Sequence, residues 1–515
     1  MVSSDGDEPL TPAGRLFLRP EMNTIIHCVV GLQHPPDLDL IKSIVSSSFM
    51  VQHPRFTSLL VRDHRGTEHW RKTKIDIDRH VILVDHPLTN DVDDSRAVND
   101  YVAELSVSTP LSTDKPLWEL HVLPAHKCVV LRIHHALGDG ISLMSLFLAS
   151  CRRAADPEAL PSMGISSDRK RSRSSGWRNW REILLGFVKM VVFSLVFAAE
   201  FVLKLWISDR KTPISGGADV ELWPRKLATA RFSLEDMKAV KKAVADRLDA
   251  KHMFSVLVVL SILYCSIEVK QISHCISHKR AFSCSLSTSM EVGHGNTSHK
   301  RTINDVLFGV VSSGLSRYLD YRSPNALPNG FQLTGLAMVN LREQPGLQEL
   351  CDLMKSNTGS EWGNKFGMLL LPVYYHKTGG NPLDYLKRAK AMIDRKKQSL
   401  EAHFSYNIGD FLMSWFGPKV ACMLNYRIVC NTSFTISNVI GPLEEITVAG
   451  VPVTYVRANT SSLPHALTMH MTSYAGKADM QILVAKDIIP DPEFLAKCFE
   501  DALPELKEAA LSTKI

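Results

Sequence analysis

The stretch that most constrains the fold is Leu131–Gly140, LRIHHALGDG. The apolar run Cys128–Ile133 has the length of a buried strand and delivers two adjacent histidines, His134 and His135, at its end, with Asp139 and Gly140 close behind. Downstream, Ile141, Leu143, Met144, Phe147, Leu148 and Cys151 recur at helical spacing. Strand, tight loop and helix in that order present a titratable group at a sheet edge on rigid supports. His135 titrates near neutrality and can take a proton from a hydroxyl or thiol. Asp139 is expected to hold the loop by pairing with a base elsewhere, without touching substrate. Gly138 and Gly140 permit backbone angles that a side chain would forbid. The competing reading is a satisfied pair of core histidines followed by an Asp-Gly turn; the doubled histidine after an apolar strand favours a site.

The rest of the chain supplies an α/β pattern on both sides of this motif. Met22–Leu32, Phe56–Val61, Ile75–Val84 and Lys115–Leu123 read as strands or approaches to strands, and Asp37–Met50 and Val92–Leu105 as helices. With 515 residues, 45% of them apolar, there is room for more than one core. The ten cysteines include no CxxC pair, as in a reduced compartment, and MVSSDGDEPL carries acids where a secretory signal needs bases, so a cytosol-facing chain is expected.

After Cys151 the character changes. A linker rich in Ser, Pro and Gly runs from Pro157 to Ser175 and overlaps DRKRSRSSGWRNWR (Asp168–Arg181), in which six Arg or Lys face one Asp. No nucleic-acid-binding motif accompanies the cluster, and a polybasic segment before an apolar helix reads better as a contact with anionic lipid headgroups. That helix, Ile183–Ile207, is long enough to cross a bilayer but is interrupted by Lys189, Glu200 and Lys204, which with Glu182 fall in one sector of about 60° at ~100° per residue. One narrow polar stripe points to a monotopic anchor rather than a span, with a buried core helix as the alternative.

The remainder divides into an irregular tract and a second α/β half. Ser233 and Asp236 have capping-box spacing before a helix in Arg231–Asp246. Residues 248–300 then form an atypical insertion, whose His274, Cys275, His278, Cys284, His294 and His299 match no common zinc spacing, so no metal is expected. Regular patterning resumes at Thr302, with a helical stripe through Leu319 and a second capping-box spacing at Thr302 and Asp305. Gly335–Arg342 and Phe434–Val439 read as strands, Pro382–His403, Phe411–Met423 and Pro492–Leu511 as helices, and Ser473–Val484 as a hairpin turning at Ala475–Lys477. The expected organisation is an N-terminal half (1–160), a basic linker and apolar helix (161–225) and a C-terminal half (226–515).

Seven separated segments, PLTPAGRLF (Pro9–Phe17), PLW (Pro116–Trp118), HHALGDG (His134–Gly140), NDVLFGV (Asn304–Val310), WGNKFG (Trp362–Gly367), SNVIGP (Ser437–Pro442) and PHALTMHMTSYAGK (Pro464–Lys477), together resemble the plant branch of the wax ester synthase/diacylglycerol acyltransferase family, within the HHxxxDG superfamily of CoA-dependent acyltransferases. The resemblance implies two chloramphenicol-acetyltransferase-like halves, mixed sheets flanked by helices, enclosing a shared tunnel. It implies transfer of a long fatty acyl group from acyl-CoA to a long-chain alcohol or to diacylglycerol, with no metal or redox cofactor. Under this reading His135 is the general base, His134 and Gly140 support the loop with Asp139, and Asn304 is a candidate for positioning, with helix capping by its neighbours as the competing role. Residues binding CoA are not singled out. The partners implied are the two substrates and a membrane surface, at the endoplasmic reticulum or the plasma membrane. Two rivals are a BAHD-type transferase on small soluble acceptors, against which stands the lack of a DFGWG segment, and a non-catalytic lipid-binding relative broken by the insertion.

Overall fold

The computed structural model describes residues 7–64, 66–88, 93–162, 180–248, 302–342, 362–377, 380–461 and 463–512. The first part of the chain runs β1 (Glu8–Pro9), α1 (Pro12–Phe17), β2 (Ile25–Leu32), α2 (Leu38–Ser47), α3 (Phe49–Gln52), β3 (Ser58–Arg62), β4 (Glu68–Lys72), β5 (Val81–Leu83), α4 (Asp94–Ser108), β6 (Trp118–Leu123), β7 (Cys128–His134), α5 (Gly140–Ala149) and β8 (Arg152–Arg153). The helices start where short polar side chains cap them: Thr11 accepts from the Gly14 N–H, Asp37 from Leu40 and Asp139 from Ser142. The run Ile75–Val84 is not one strand. Asp76 accepts from the Asp78 N–H and turns the backbone into a short 3-10 helix, leaving only Val81–Leu83 extended.

A long apolar helix, α6 (Trp180–Leu203), leads to the second part: β9 (Arg225–Ser233), α7 (Leu234–Leu248), α8 (Ile303–Arg322), β10 (Gln332–Asn340), β11 (Phe366–Tyr374), α9 (Pro382–Lys397), α10 (Glu401–Cys430), β12 (Phe434–Val439), β13 (Ile446–Val448), β14 (Val451–Thr460), β15 (Leu467–Tyr474), β16 (Lys477–Ala485) and α11 (Pro492–Ser512). The helical pattern from Pro382 to His403 is broken after Lys397, where the Gln398 N–H turns back to the carbonyls of Asp394 and Arg395. The buried Glu401 carboxylate, 2.9 Å from the Lys396 ammonium, closes the corner between α9 and α10. Helix α10 extends well beyond Phe411–Met423 in both directions and bends at Gly417–Pro418, where Gly417 has φ 76°, an angle open to glycine, and Pro418 withdraws a backbone donor. The hairpin of β15 and β16 turns through Ala475 and Gly476, both at positive φ, inside the expected Ala475–Lys477.

The described strands form three sheets. β1, β4 and β3 make a small one; the other two have orders β5-β6-β7-β2-β14-β13-β8 and β11-β10-β12-β15-β16-β9. The seven-stranded sheet is completed by β13 and β14 from the far part of the chain, β14 lying antiparallel to β2 from Val453–Leu32 to Thr460–Ile26. The two lobes thus share backbone hydrogen bonds. Each lobe has its own apolar core, one around Trp70, Trp118 and Leu137, the other around Leu307, Met469 and Phe499. Helix α6 is not a core helix: Leu184, Leu185, Phe187, Val188 and Leu195 are all exposed. The insertion and its histidines and cysteines, and most of the basic linker, lie outside the described residues.

Candidate active site

Strand β7 is a run of apolar and β-branched residues hydrogen-bonded to β2 on one side and β6 on the other. It ends at His134, and the next residue, His135, is tied down by its N–H to the Thr24 carbonyl at 2.9 Å. The two imidazoles point differently. His134 is buried, accepts the Ala136 N–H at Nδ1 (3.1 Å) and donates from Nε2 to Asn23 Oδ1 at 2.9 Å. Burial lowers its pKa to about 3, so it stays neutral. His135 instead lines a large cavity of about 2090 Å³ enclosed by both lobes.

The orientation of His135 is set by Asn364. Asn364 Nδ2 donates to the His135 carbonyl at 2.8 Å, so its Oδ1 must be the atom 2.9 Å from His135 Nδ1. A carbonyl oxygen only accepts, hence Nδ1 carries the hydrogen and Nε2 keeps its lone pair. Phe17 stacks on the ring at a centroid distance of 4.1 Å and Phe366 meets it edge-on at 6.0 Å, fixing its plane. Burial pushes the His135 pKa below the ordinary imidazole value, against the opposing pull of the Asp139 charge and the Asn364 hydrogen bond. The result is a neutral base with a fixed tautomer.

Asp139 is buried and caps α5 through Oδ1, which accepts the Ser142 N–H at 3.1 Å. Its Oδ2 receives Arg342 Nη1 at 2.7 Å and the Lys365 N–H at 3.1 Å, both from the other lobe. The Arg342 guanidinium also donates to Asn340 Oδ1 and to the Gly363 carbonyl. Asp139 therefore ties the histidine loop to the segment carrying Asn364.

Neither Gly138 nor Gly140 uses the left-handed angles open to glycine. What Gly138 provides is room: a Cβ there would stand 3.3 Å from the Trp362 ring, whose Nε1 donates to the Leu137 carbonyl at 2.8 Å. Gly140 begins α5 on the cavity wall, against Val439.

Asn304 also lines the cavity. Capping of α8 is done by its neighbours, the Asp305 carboxylate accepting the Thr302 N–H at 2.6 Å. The Asn304 side chain instead accepts from Asn438 Nδ2 at 2.8 Å, joining α8 to the end of β12. Sequence reasoning assigned no role to Asn364, Arg342 or Phe17, although Phe17 and Asn364 fall in segments singled out by resemblance. Asn364 lies 229 positions from its partner, and only the fold reveals that pairing. No group of three or more His, Cys, Asp or Glu suited to a metal occurs among the described residues.

Two lobes meeting at a shared cavity, with a histidine after a strand and an aspartate at the following helix, define a two-lobed fold seen in solved acyltransferase and condensation-domain structures. A wax ester synthase/diacylglycerol acyltransferase from Marinobacter aquaeolei VT8 superposes with a TM-score of 0.54 at 16% identity, covering 98% of this chain and 99% of that one. The first condensation domain of the calcium-dependent antibiotic synthetase, in complex with a substrate analogue, gives 0.52 at 12% identity, covering 99% and 97%. The sequence narrows this to one family. The wax ester synthase/diacylglycerol acyltransferase catalytic domain matches residues 40–247 and the WS/DGAT C-terminal domain residues 362–507. Wax ester synthase/diacylglycerol acyltransferases 11 and 5 of Arabidopsis thaliana are 32% and 33% identical, covering 98% and 97% of this chain and 96% and 93% of theirs. The chain belongs to the wax ester synthase/diacylglycerol acyltransferase family.

Proposed function

We propose that this protein transfers a long-chain fatty acyl group from acyl-CoA to a long-chain alcohol, giving a wax ester, and to diacylglycerol, giving triacylglycerol. The observation that carries the reading is His135, with Nε2 unprotonated on the wall of a large, mainly apolar cavity shared by both lobes. Nε2 removes the hydroxyl proton as the alcohol oxygen bonds to the thioester carbonyl carbon. The tetrahedral oxyanion collapses, the C–S bond breaks, and the departing CoA sulfur takes the proton back from His135. Such base catalysis contributes about 10²–10⁴-fold, and holding two lipids in one water-poor cavity supplies much of the rest. His134, Asp139 and Gly140 support the loop; Asn304, which lines the cavity from α8 of the other lobe, is a positioning residue. The reaction as written calls for no metal or redox cofactor.

The acyl-CoA side is assigned by charge. Lys238 and Lys241, one turn apart on α7, and Lys397 at the end of α9 line the cavity beside Thr302, and suit the phosphates of CoA. Lys238→Glu with Lys241→Glu is expected to raise KM for acyl-CoA about tenfold or more while leaving KM for the alcohol unchanged. The family match and the exposed apolar helix disfavour a soluble-acceptor transferase; the membrane contacted is taken as that of the endoplasmic reticulum. Expression in a host lacking both neutral-lipid classes, followed by lipid analysis, tests the activity: wax esters or triacylglycerol should appear. A host that still forms neither would refute it and favour a non-catalytic lipid binder.

A further inference from the structure

Helix α6 is amphipathic the wrong way round for a soluble protein. Its charged residues near the C-terminal end are satisfied by the protein: Lys204 pairs with Asp209 and reaches the Asn431 carbonyl at 3.3 Å, and Glu200 lies 3.8 Å from Lys396. Phe197 and Phe201 are buried, Phe197 edge-on to Phe404 of α10 at 6.2 Å. Leu195, Val202 and Leu203 are exposed on α6, and exposed Trp206 and Ile207 follow just beyond its end. Water is a poor neighbour for so much contiguous apolar surface.

Helix α10, which packs beside α6, repeats the arrangement at its bend. Phe411, Trp415 and Phe416 precede Gly417–Pro418 and cluster with one another, Phe411 lying 5.7 Å from Trp415 and 6.2 Å from Phe416. All three are exposed, Trp415 by 76%. None of them lines the cavity, yet Leu412 and Met413 between them do. On α6, Val202 lines the cavity while the adjacent Leu203 does not and is exposed. The wall here is thus one helix thick and carries apolar residues towards both the cavity and the outside. Exposed cations accompany it, Lys189 on α6, Arg210 and Lys211 just beyond, and Lys419 two residues after the kink.

We infer that the aromatic tip of α10 inserts into an anionic bilayer surface alongside α6, and that the wall between the two helices is the doorway through which lipid substrate passes sideways from the bilayer into the cavity. Aromatic side chains at the level of the headgroups, with cations beside them, match the interfacial chemistry of such a surface. The inference rests on the proposed lipid acyltransfer for the doorway, but the docking itself can be read without turnover.

The test uses the full chain and the triple variant Phe411→Ser, Trp415→Ser, Phe416→Ser, its fold checked by an unchanged thermal midpoint. Binding is measured by flotation with vesicles of phosphatidylcholine and phosphatidylserine, and turnover with hexadecanol held in those vesicles and with octanol dissolved in water. The variant is expected to lose about tenfold or more in vesicle binding and in hexadecanol turnover while keeping its octanol rate. Equal binding and turnover by variant and wild type would overturn the inference, and so would an equal fall on both alcohols. A dimer turned monomer with vesicle binding intact would also overturn it, making the face a contact between copies. Wild type that binds vesicles yet forms no ester would overturn the activity and the doorway while sustaining the docking.

Discussion

At the scale of single residues the chemistry turns on which ring nitrogen of His135 holds its proton. Asn364 decides this through two hydrogen bonds, one to the His135 carbonyl and one to Nδ1. Asn364→Leu should release the ring, admit the wrong tautomer and lower kcat by ~10²-fold or more with KM little changed, measured by steady-state kinetics. The pH profile separates this from general damage. His135 works as the neutral base and its pKa is held below that of a free imidazole, so the acid limb of wild-type kcat/KM should lie below the usual imidazole range. Asn364 raises that pKa, so the variant's acid limb should move lower still.

At the scale of elements, the helix after β7 is joined to the opposite lobe by the buried Asp139–Arg342 pair, 2.7 Å apart. Arg342→Ala strands a buried carboxylate and is expected to destabilise the protein by about 3–5 kcal/mol, read from urea unfolding. Gly367, in β11, lies directly under the start of α10, and a Cβ there would fall 2.0 Å from the Ala402 carbonyl oxygen. Gly367→Ala should lower the thermal midpoint, the overpacking costing about 1–3 kcal/mol. Elements with strong local signals were legible in the sequence: β7 from its apolar run, α8 from its stripe and capping box, the β15–β16 hairpin from its turn. β4, EHWRK, was not, because a short strand in which four of five residues are charged or polar carries little apolar pattern. Strands β13 and β14 were hidden for another reason: besides each other they pair with β8 and β2 of the first lobe, and joining a distant sheet leaves no local mark. The same holds at the site, where His135 and Asp139 stood out in one short motif while Asn364 and Arg342, far along the chain, gained meaning only from the contacts.

At the scale of the whole molecule, several histidines are sealed in neutral form. Burial lowers the pKa of His27 and His134 to about 3 and of His465 and His470 to about 4, against 6.5 for a free imidazole. Below pH 6.5 the unfolded chain therefore binds protons that the folded chain refuses, and folding stability is lost as pH falls through the window from 6.5 towards 4. The thermal midpoint should accordingly drop steadily across that window and level off above it. A flat midpoint from pH 7 to pH 4 would mean that these rings are not sealed.

The two lobes, the sheet they share and the Asp139–Arg342 tie all serve to place one imidazole on the wall of a cavity that two lipids can share. The most direct measurement is the initial rate of ester formation from acyl-CoA and hexadecanol by His135→Ala, with its thermal midpoint recorded alongside. A folded variant slowed by ~10²–10⁴-fold is the expected result. A folded variant working at close to the wild-type rate would contradict it.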